Sequence, residues 1–202
     1  SHTKLFAINA ARDNIRLGNQ SDRRNILSGN LNFYNRNLMM KITDEARGHA
    51  VVMQPGEGPS FWQPIPANGH AEPMLVPQNT KFGELSMGYQ TIAVGGHVRE
   101  HSHADQIELQ ICFKGNGHVV IDGDRHELVP GSSAFLGYDV KHAIYNDGDE
   151  ELVMLWVITP AGLEDFFATI GRDRRPGDPE PEPFKRPTDV VAIERAMGMN
   201  DT

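Results

Sequence analysis

From Val51 to Gly117 the apolar residues come in short runs separated by Pro-Gly, Ala-Asn-Gly and Gly-Gly, and no sustained helical period interrupts them. Such runs predict strands, because glycine, proline and asparagine end a ladder that β-branched and aromatic residues extend. Strands are predicted at Ala50–Met53, Glu72–Val76, Glu84–Val94, Ile107–Lys114, His118–Ile121, His126–Leu128, Ser133–Leu136, Ala143–Tyr145 and Leu152–Ile158. Short strands at this spacing indicate an all-β sandwich or barrel. Asp122-Gly123-Asp124, between two of them, predicts a tight hairpin turn in which glycine supplies the positive φ.

The pattern changes at Thr159. Thr159 is read as an N-cap and Pro160 as the first helical residue, and Leu163, Phe166, Phe167 and Ile170 then fall on one face of a helix closed by Gly171. Its apolar stripe is expected to pack on the outside of the β structure. Arg172–Pro187 holds Pro176, Pro179, Pro181, Pro183 and Pro187 among charges and reads as a linker or surface strap. A short helix is predicted over Asp189–Met197, ending at Gly198. Phe61–Gly69 is too rich in proline for a central strand and reads as an edge strap or inter-subunit contact.

Ahead of the strands, residues 3–38 carry many Asn and Arg with scattered apolar residues and are expected to form an arm outside the core. Ser1-His2 reads as a cloning remnant and Met39 or Met40 as the natural start. The expected organisation is an arm at 1–40, the β domain with its closing helix at 41–171, and a Pro-rich linker with a short helix at 172–202. No internal repeat is visible, so one β domain is expected rather than two.

Composition narrows the function. The chain has 202 residues, 39% of them hydrophobic, which is enough for a core of one principal domain. Its net charge of −8 opposes binding to nucleic acid or anionic lipid. Cys112 is the only cysteine, so no intrachain disulfide framework exists and a cytoplasmic location is expected.

The chemistry concentrates between Gly95 and Asn146. His101 and His103 stand two residues apart, a spacing that points both imidazoles to one face of a strand. Glu108, five residues past His103, would face the other way on an unbroken strand, so Ala104-Asp105-Gln106 must turn or bulge to bring it inward. His142, distant in sequence, follows a turn at Pro130-Gly131-Ser132 and is a fourth candidate. Three imidazoles and a carboxylate suit a divalent transition ion such as Fe, Mn, Co, Ni, Cu or Zn. With four protein ligands, exchangeable positions remain on a five- or six-coordinate ion, as catalysis requires. His49, His70, His118 and His126 are read as structural.

Gly95, five residues, His101-x-His103, four residues, Glu108, six residues and Gly115 resemble the first cupin motif, and Pro130-Gly131, His142 and Asn146 resemble the second. Ser132, where an acidic residue is common, and Tyr138, where proline is common, depart from the pattern without touching a ligand. The resemblance covers about Met87–Gly171 and implies a cupin (jelly-roll) β-barrel with His101, His103, Glu108 and His142 as metal ligands. His101-Ser102-His103-Ala104-Asp105, the gap to Glu108 and Ala161–Phe167 are similar to bacterial single-domain quercetin 2,3-dioxygenases. That similarity implies a metal-dependent dioxygenase, with iron favoured, O2 as co-substrate and Glu108 as ligand and base. The alternatives are a non-redox lyase, isomerase or cyclase using the metal as Lewis acid, and a binding protein without catalysis. His97, Arg99, Gln110, Tyr89, Met154 and Trp156 are candidate substrate contacts by strand parity or aromatic character. A homodimer is expected from the open edges and extensions.

Overall fold

The computed structural model describes residues 50–201. In chain order the elements are β1 Phe61–Trp62, β2 His70–Leu75, α1 Pro77–Thr80, β3 Ser86–Ile92, β4 His97–His103, β5 Ile107–Lys114, β6 Gly117–Ile121 and β7 Asp124–Leu128. They continue with β8 Ser133–Leu136, β9 His142–Tyr145, β10 Leu152–Thr159, α2 Leu163–Ile170, β11 Arg172–Asp173, α3 Val190–Ala196 and β12 Met199–Asp201. The expected arm, the start at Met39 or Met40 and the structural reading of His49 lie outside the described residues.

The strands form two antiparallel sheets. One has seven strands in the order β11-β1-β2-β3-β10-β5-β8, and the other five in the order β12-β4-β9-β6-β7. Neither sheet closes on itself, so the expected jelly-roll barrel is corrected to a sandwich of two open sheets with helices following β10. The strand pattern could not separate the two, because a barrel and a sandwich both bury one face of every strand. Closure depends on what pairs with the outer strands, and here one edge of each sheet goes to β11 or β12 from the C-terminal tail while β8 and β7 form the others.

Burial follows the pleat. In β10 the residues Leu152, Met154, Trp156 and Ile158 are buried and alternate with half-buried Val153, Leu155 and Val157. The run is apolar throughout because its second face is also partly covered. Met154 and Cys112 of the larger sheet meet Val119 and Ile144 of the smaller in one core cluster. Trp156 and Ile158 join Leu163, Phe166, Phe167 and Ile170 of α2 in a second. Burying side chains such as Met154 and Ile158 contributes roughly 1.5–3 kcal/mol each. Gly88 has no side chain because a Cβ there would lie 2.6 Å from the Trp156 ring.

Local structure departs from expectation where pairing overrides pattern. Ala50–Met53 enters no ladder and the predicted strand is absent. The helix expected from Pro160 begins at Leu163, because Thr159 stays in register with Ile107 and cannot serve as a cap. Gly162 is the N-cap instead, its N–H donating to the Glu164 carboxylate. The Asp122-Gly123 hairpin forms as expected, with φ of 48° and 91° at its two residues.

The chain changes sheet between β4 and β5, and this crossing positions the site. The break at Ala104-Asp105-Gln106 is the one the ligand spacing demands. Gln106 is buried and donates from Nε2 to the Pro160 carbonyl at 3.0 Å, fixing the crossing to the end of β10. Asn146 locks the β9–β10 connection by donating to the Ile92 and Glu150 carbonyls and accepting from Gly148 N–H.

Candidate metal centre

His101 and His103 on β4 and His142 on β9 come from the five-stranded sheet, and Glu108 on β5 comes from the seven-stranded one. His101 pairs directly with His142 across the ladder, with a bulge between Val98 and His101. The four potential ligand atoms lie within 4.8 Å of one another. His103, Glu108 and His142 are buried, whereas His101 is half-buried and forms the open side. The Glu108 carboxylate oxygen Oε2 sits 3.4 Å from Nε2 of both His103 and His142.

Hydrogen bonding orients the rings. Nδ1 of His101 donates to the Arg99 carbonyl at 2.9 Å and Nδ1 of His142 to the Val140 carbonyl at 3.0 Å. A carbonyl only accepts, so both imidazoles carry their proton on Nδ1 and keep a lone pair on Nε2 for an ion. His142 Nε2, both ring nitrogens of His103 and Glu108 Oε2 are buried without a hydrogen-bond partner. Polar atoms buried together and unsatisfied are costly unless something binds them. The cluster therefore fits a divalent metal by donor type, burial and orphaned lone pairs.

The electrostatics agree. Burial, reinforced by the neighbouring His142 and His103, lowers the His101 pKa from 6.5 to about 3, keeping the ring neutral and able to coordinate. Burial alone would raise the Glu108 carboxyl, but the imidazoles of His103 and His142, each 3.4 Å away, outweigh it and hold the group well below the usual carboxylate range.

Beside the cluster opens a cavity whose wall mixes apolar side chains with a few polar ones. His101 and Glu108 form part of its wall, and His97, Arg99 and Gln110 line it as well. Tyr89, Met154 and Trp156 are not among the lining residues. Tyr89 packs edge-on against exposed Phe113, while Met154 and Trp156 belong to the two core clusters.

Other walls were not legible as such. The stripe of α2, expected only to pack against the sheet, both packs there and lines the cavity through Leu163, Phe166, Phe167 and Ile170. The strap that follows β1 contributes Pro64, Ile65 and Pro66, and the tail contributes Arg186, Glu194 and Met199. Proline content marked the strap as an edge element. Nothing periodic marked Arg186, whose place depends on an ion pair with Glu194.

Comparison with known proteins matches residues 88–158 to the Cupin domain family. A polyketide synthase, CurC, of Streptomyces cyaneus is 26% identical over 92 residues, 46% of this chain, which spans 60% of that relative's length. Among solved structures, a predicted oxalate decarboxylase from Thermotoga maritima aligns over 55% of this chain and 100% of its own at 21% identity and a TM-score of 0.48. KdgF from Halomonas sp. aligns over 58% and 99% at 14% and 0.49. A sugar phosphate isomerase from Silicibacter pomeroyi aligns over 55% and 76% at 19% and 0.47. The expected oxidoreductase assignment is corrected to the coarser one that the ligand cluster supports, a site able to hold a divalent metal. The segment that matches the Cupin domain model, with its three histidines and one glutamate drawn from two sheets, bears a buried cluster suited to a divalent metal.

Proposed function

We propose that the protein is a metal-dependent lyase, isomerase or cyclase acting without net redox change on a small substrate bearing a carbonyl or carboxylate oxygen. The observation that carries this reading is Glu108, a carboxylate kept ionised at the wall of the cavity within the ligand cluster. When bound, a divalent ion supplies Lewis-acid polarisation of a substrate oxygen, making the adjacent carbon acidic.

The residues divide the remaining work. His101, His103 and His142 would hold the ion through ring nitrogens, two of the rings being oriented by backbone carbonyls. Glu108 accepts the substrate proton and returns it to a neighbouring atom or to the departing group. Its two imidazole contacts make it a weak base, so it suits a carbon whose proton is already acidic. The apolar face of α2 excludes water from the charged groups opposite. The polyketide synthase relative is consistent with an assignment to small-molecule carbon chemistry.

The test is a comparison of turnover with and without O2. Zinc-loaded protein is incubated anaerobically in D2O with small oxo acids and hydroxyketones, and exchange or rearrangement at the carbon beside the carbonyl is followed by proton NMR. The expected result is the same rate in air and in its absence, abolished by Glu108→Gln. Turnover that starts only when O2 is admitted would overturn the proposal.

A further inference from the structure

Beyond the ligands, the cavity wall carries three glutamines, Gln63, Gln90 and Gln110. Two of them are tied together. Gln63 donates from Nε2 to the Thr91 carbonyl at 2.9 Å and to the Asn68 carbonyl at 3.2 Å, and its Oε1 accepts from Gln90 Nε2 at 2.6 Å. All the hydrogen-bonding groups of Gln63 are thereby engaged, which makes it a fixed part of the wall.

Gln110 differs. It is 5% exposed, and its Oε1 is buried with no hydrogen-bond partner. It lies two residues past Glu108 on β5, so both side chains leave the same face of the strand about 7 Å apart along the chain. Its cross-strand neighbours, Ala134 and Trp156, leave the carbonyl oxygen unengaged. A buried amide oxygen without a donor is costly, and here it faces a cavity instead of solid core.

From this geometry we infer that Gln110 is a specificity residue whose Oε1 accepts a hydrogen bond from a hydroxyl of the substrate, next to the oxygen that approaches the ligand cluster. The inference rests on the proposed small-molecule site and deepens it by naming the substrate class: a hydroxylated oxo compound or hydroxy acid rather than a simple ketone or acid. A site with a committed acceptor discriminates strongly, because an analogue lacking the hydroxyl leaves that acceptor buried and unpaired. The apolar side chains of Leu163, Phe166 and Met199 also line the cavity and contribute contact area without that selectivity.

The experiment is a binding cycle independent of turnover. Cobalt-loaded protein is titrated with 3-hydroxypropionate and 4-hydroxybutyrate and with their plain counterparts, propionate and butyrate, following the visible cobalt spectrum. The expected result is a preference of at least about tenfold for the hydroxy acid at one chain length. Gln110→Met, close in shape but without the amide, should bring that ratio to about one while changing affinity for the plain acid less than about twofold. Gln110→Glu retains an acceptor oxygen and should retain the preference, which keeps the test decisive if the Met variant folds poorly. A wild-type protein that binds both acids alike, or a preference that survives in Gln110→Met, overturns the inference and leaves the metal-site reading standing. Failure to take up cobalt overturns both.

Discussion

A carboxylate buried against two imidazoles is stable only while it stays charged, and this governs how the site responds to acid. In the unfolded chain an imidazole titrates near 6.5, and in the folded protein His101 titrates near 3, because burial and the nearby His142 and His103 disfavour its cation. Between those values the unfolded chain binds more protons, so falling pH favours unfolding. The contribution from His101 is therefore complete above about 6.5 and is lost progressively toward 3. Glu108 acts in the same sense at lower pH, since its depressed pKa gives a contribution that is present above the ordinary value of 4.5 and fades below it. The melting temperature of the metal-free protein is expected to fall steadily from pH 6.5 to pH 4. His101→Gln should make that curve shallower, leaving the shares of His70, whose pKa burial lowers to about 4, and of Glu108 below 4.5. Thermal melts in chelator across this range check it, and an unchanged slope in the variant would remove His101 as the cause.

At the scale of elements, the C-terminal tail is the part that sequence periodicity described least well. The short helix α3 was legible from Val190, Ile193 and Gly198, and it forms within a residue of its expected ends. What could not be read is that β12 then pairs with β4 beside the ligands, with Met199 opposite His103 and Asn200 opposite Ser102. A three-residue edge strand has no pattern of its own and exists because β4 offers an unpaired edge. The tail is held further by Arg186 and Glu194, whose side chains are 16% and 8% exposed. One oxygen of Glu194 and one nitrogen of Arg186 have no partner, so the pair is poorly solvated as well as closely paired. Removing one member strands the other as a buried charge. Arg186→Leu is expected to cost about 3 kcal/mol, and the double variant Arg186→Leu with Glu194→Leu less than the single one. Urea unfolding of the wild type, both single variants and the double variant checks this; additive costs would show that the pair contributes only through separate contacts.

For the whole molecule, ligand spacing proved a better guide than fold pattern. His101, His103, Glu108 and His142 converge as the motif spacing implied, because two imidazoles on one strand face and a forced turn before Glu108 leave few other arrangements. Whether the sheets closed was not written in strand alternation, since one edge of each sheet is made by tail residues with no pattern of their own. Because the cluster draws ligands from both sheets, an ion bound there ties the two halves of the sandwich together, and its binding free energy becomes folding free energy. Binding to the folded state alone at a hundred times the dissociation constant adds about 2.7 kcal/mol. For a domain of this size that corresponds to a rise of about 5–10 °C in Tm. Zinc or cobalt should therefore raise the melting temperature in proportion to the logarithm of free metal, and a chelator should reverse it. His142→Ala, which removes the ligand paired with His101 across the ladder, should abolish the metal-dependent rise. His118→Ala, at a histidine paired with Asp147 outside the cluster, should keep the full rise even if its metal-free Tm is lower. Equal shifts in the two variants would mean that metal stabilises the protein from somewhere else, and the four converging side chains would lose their assigned role.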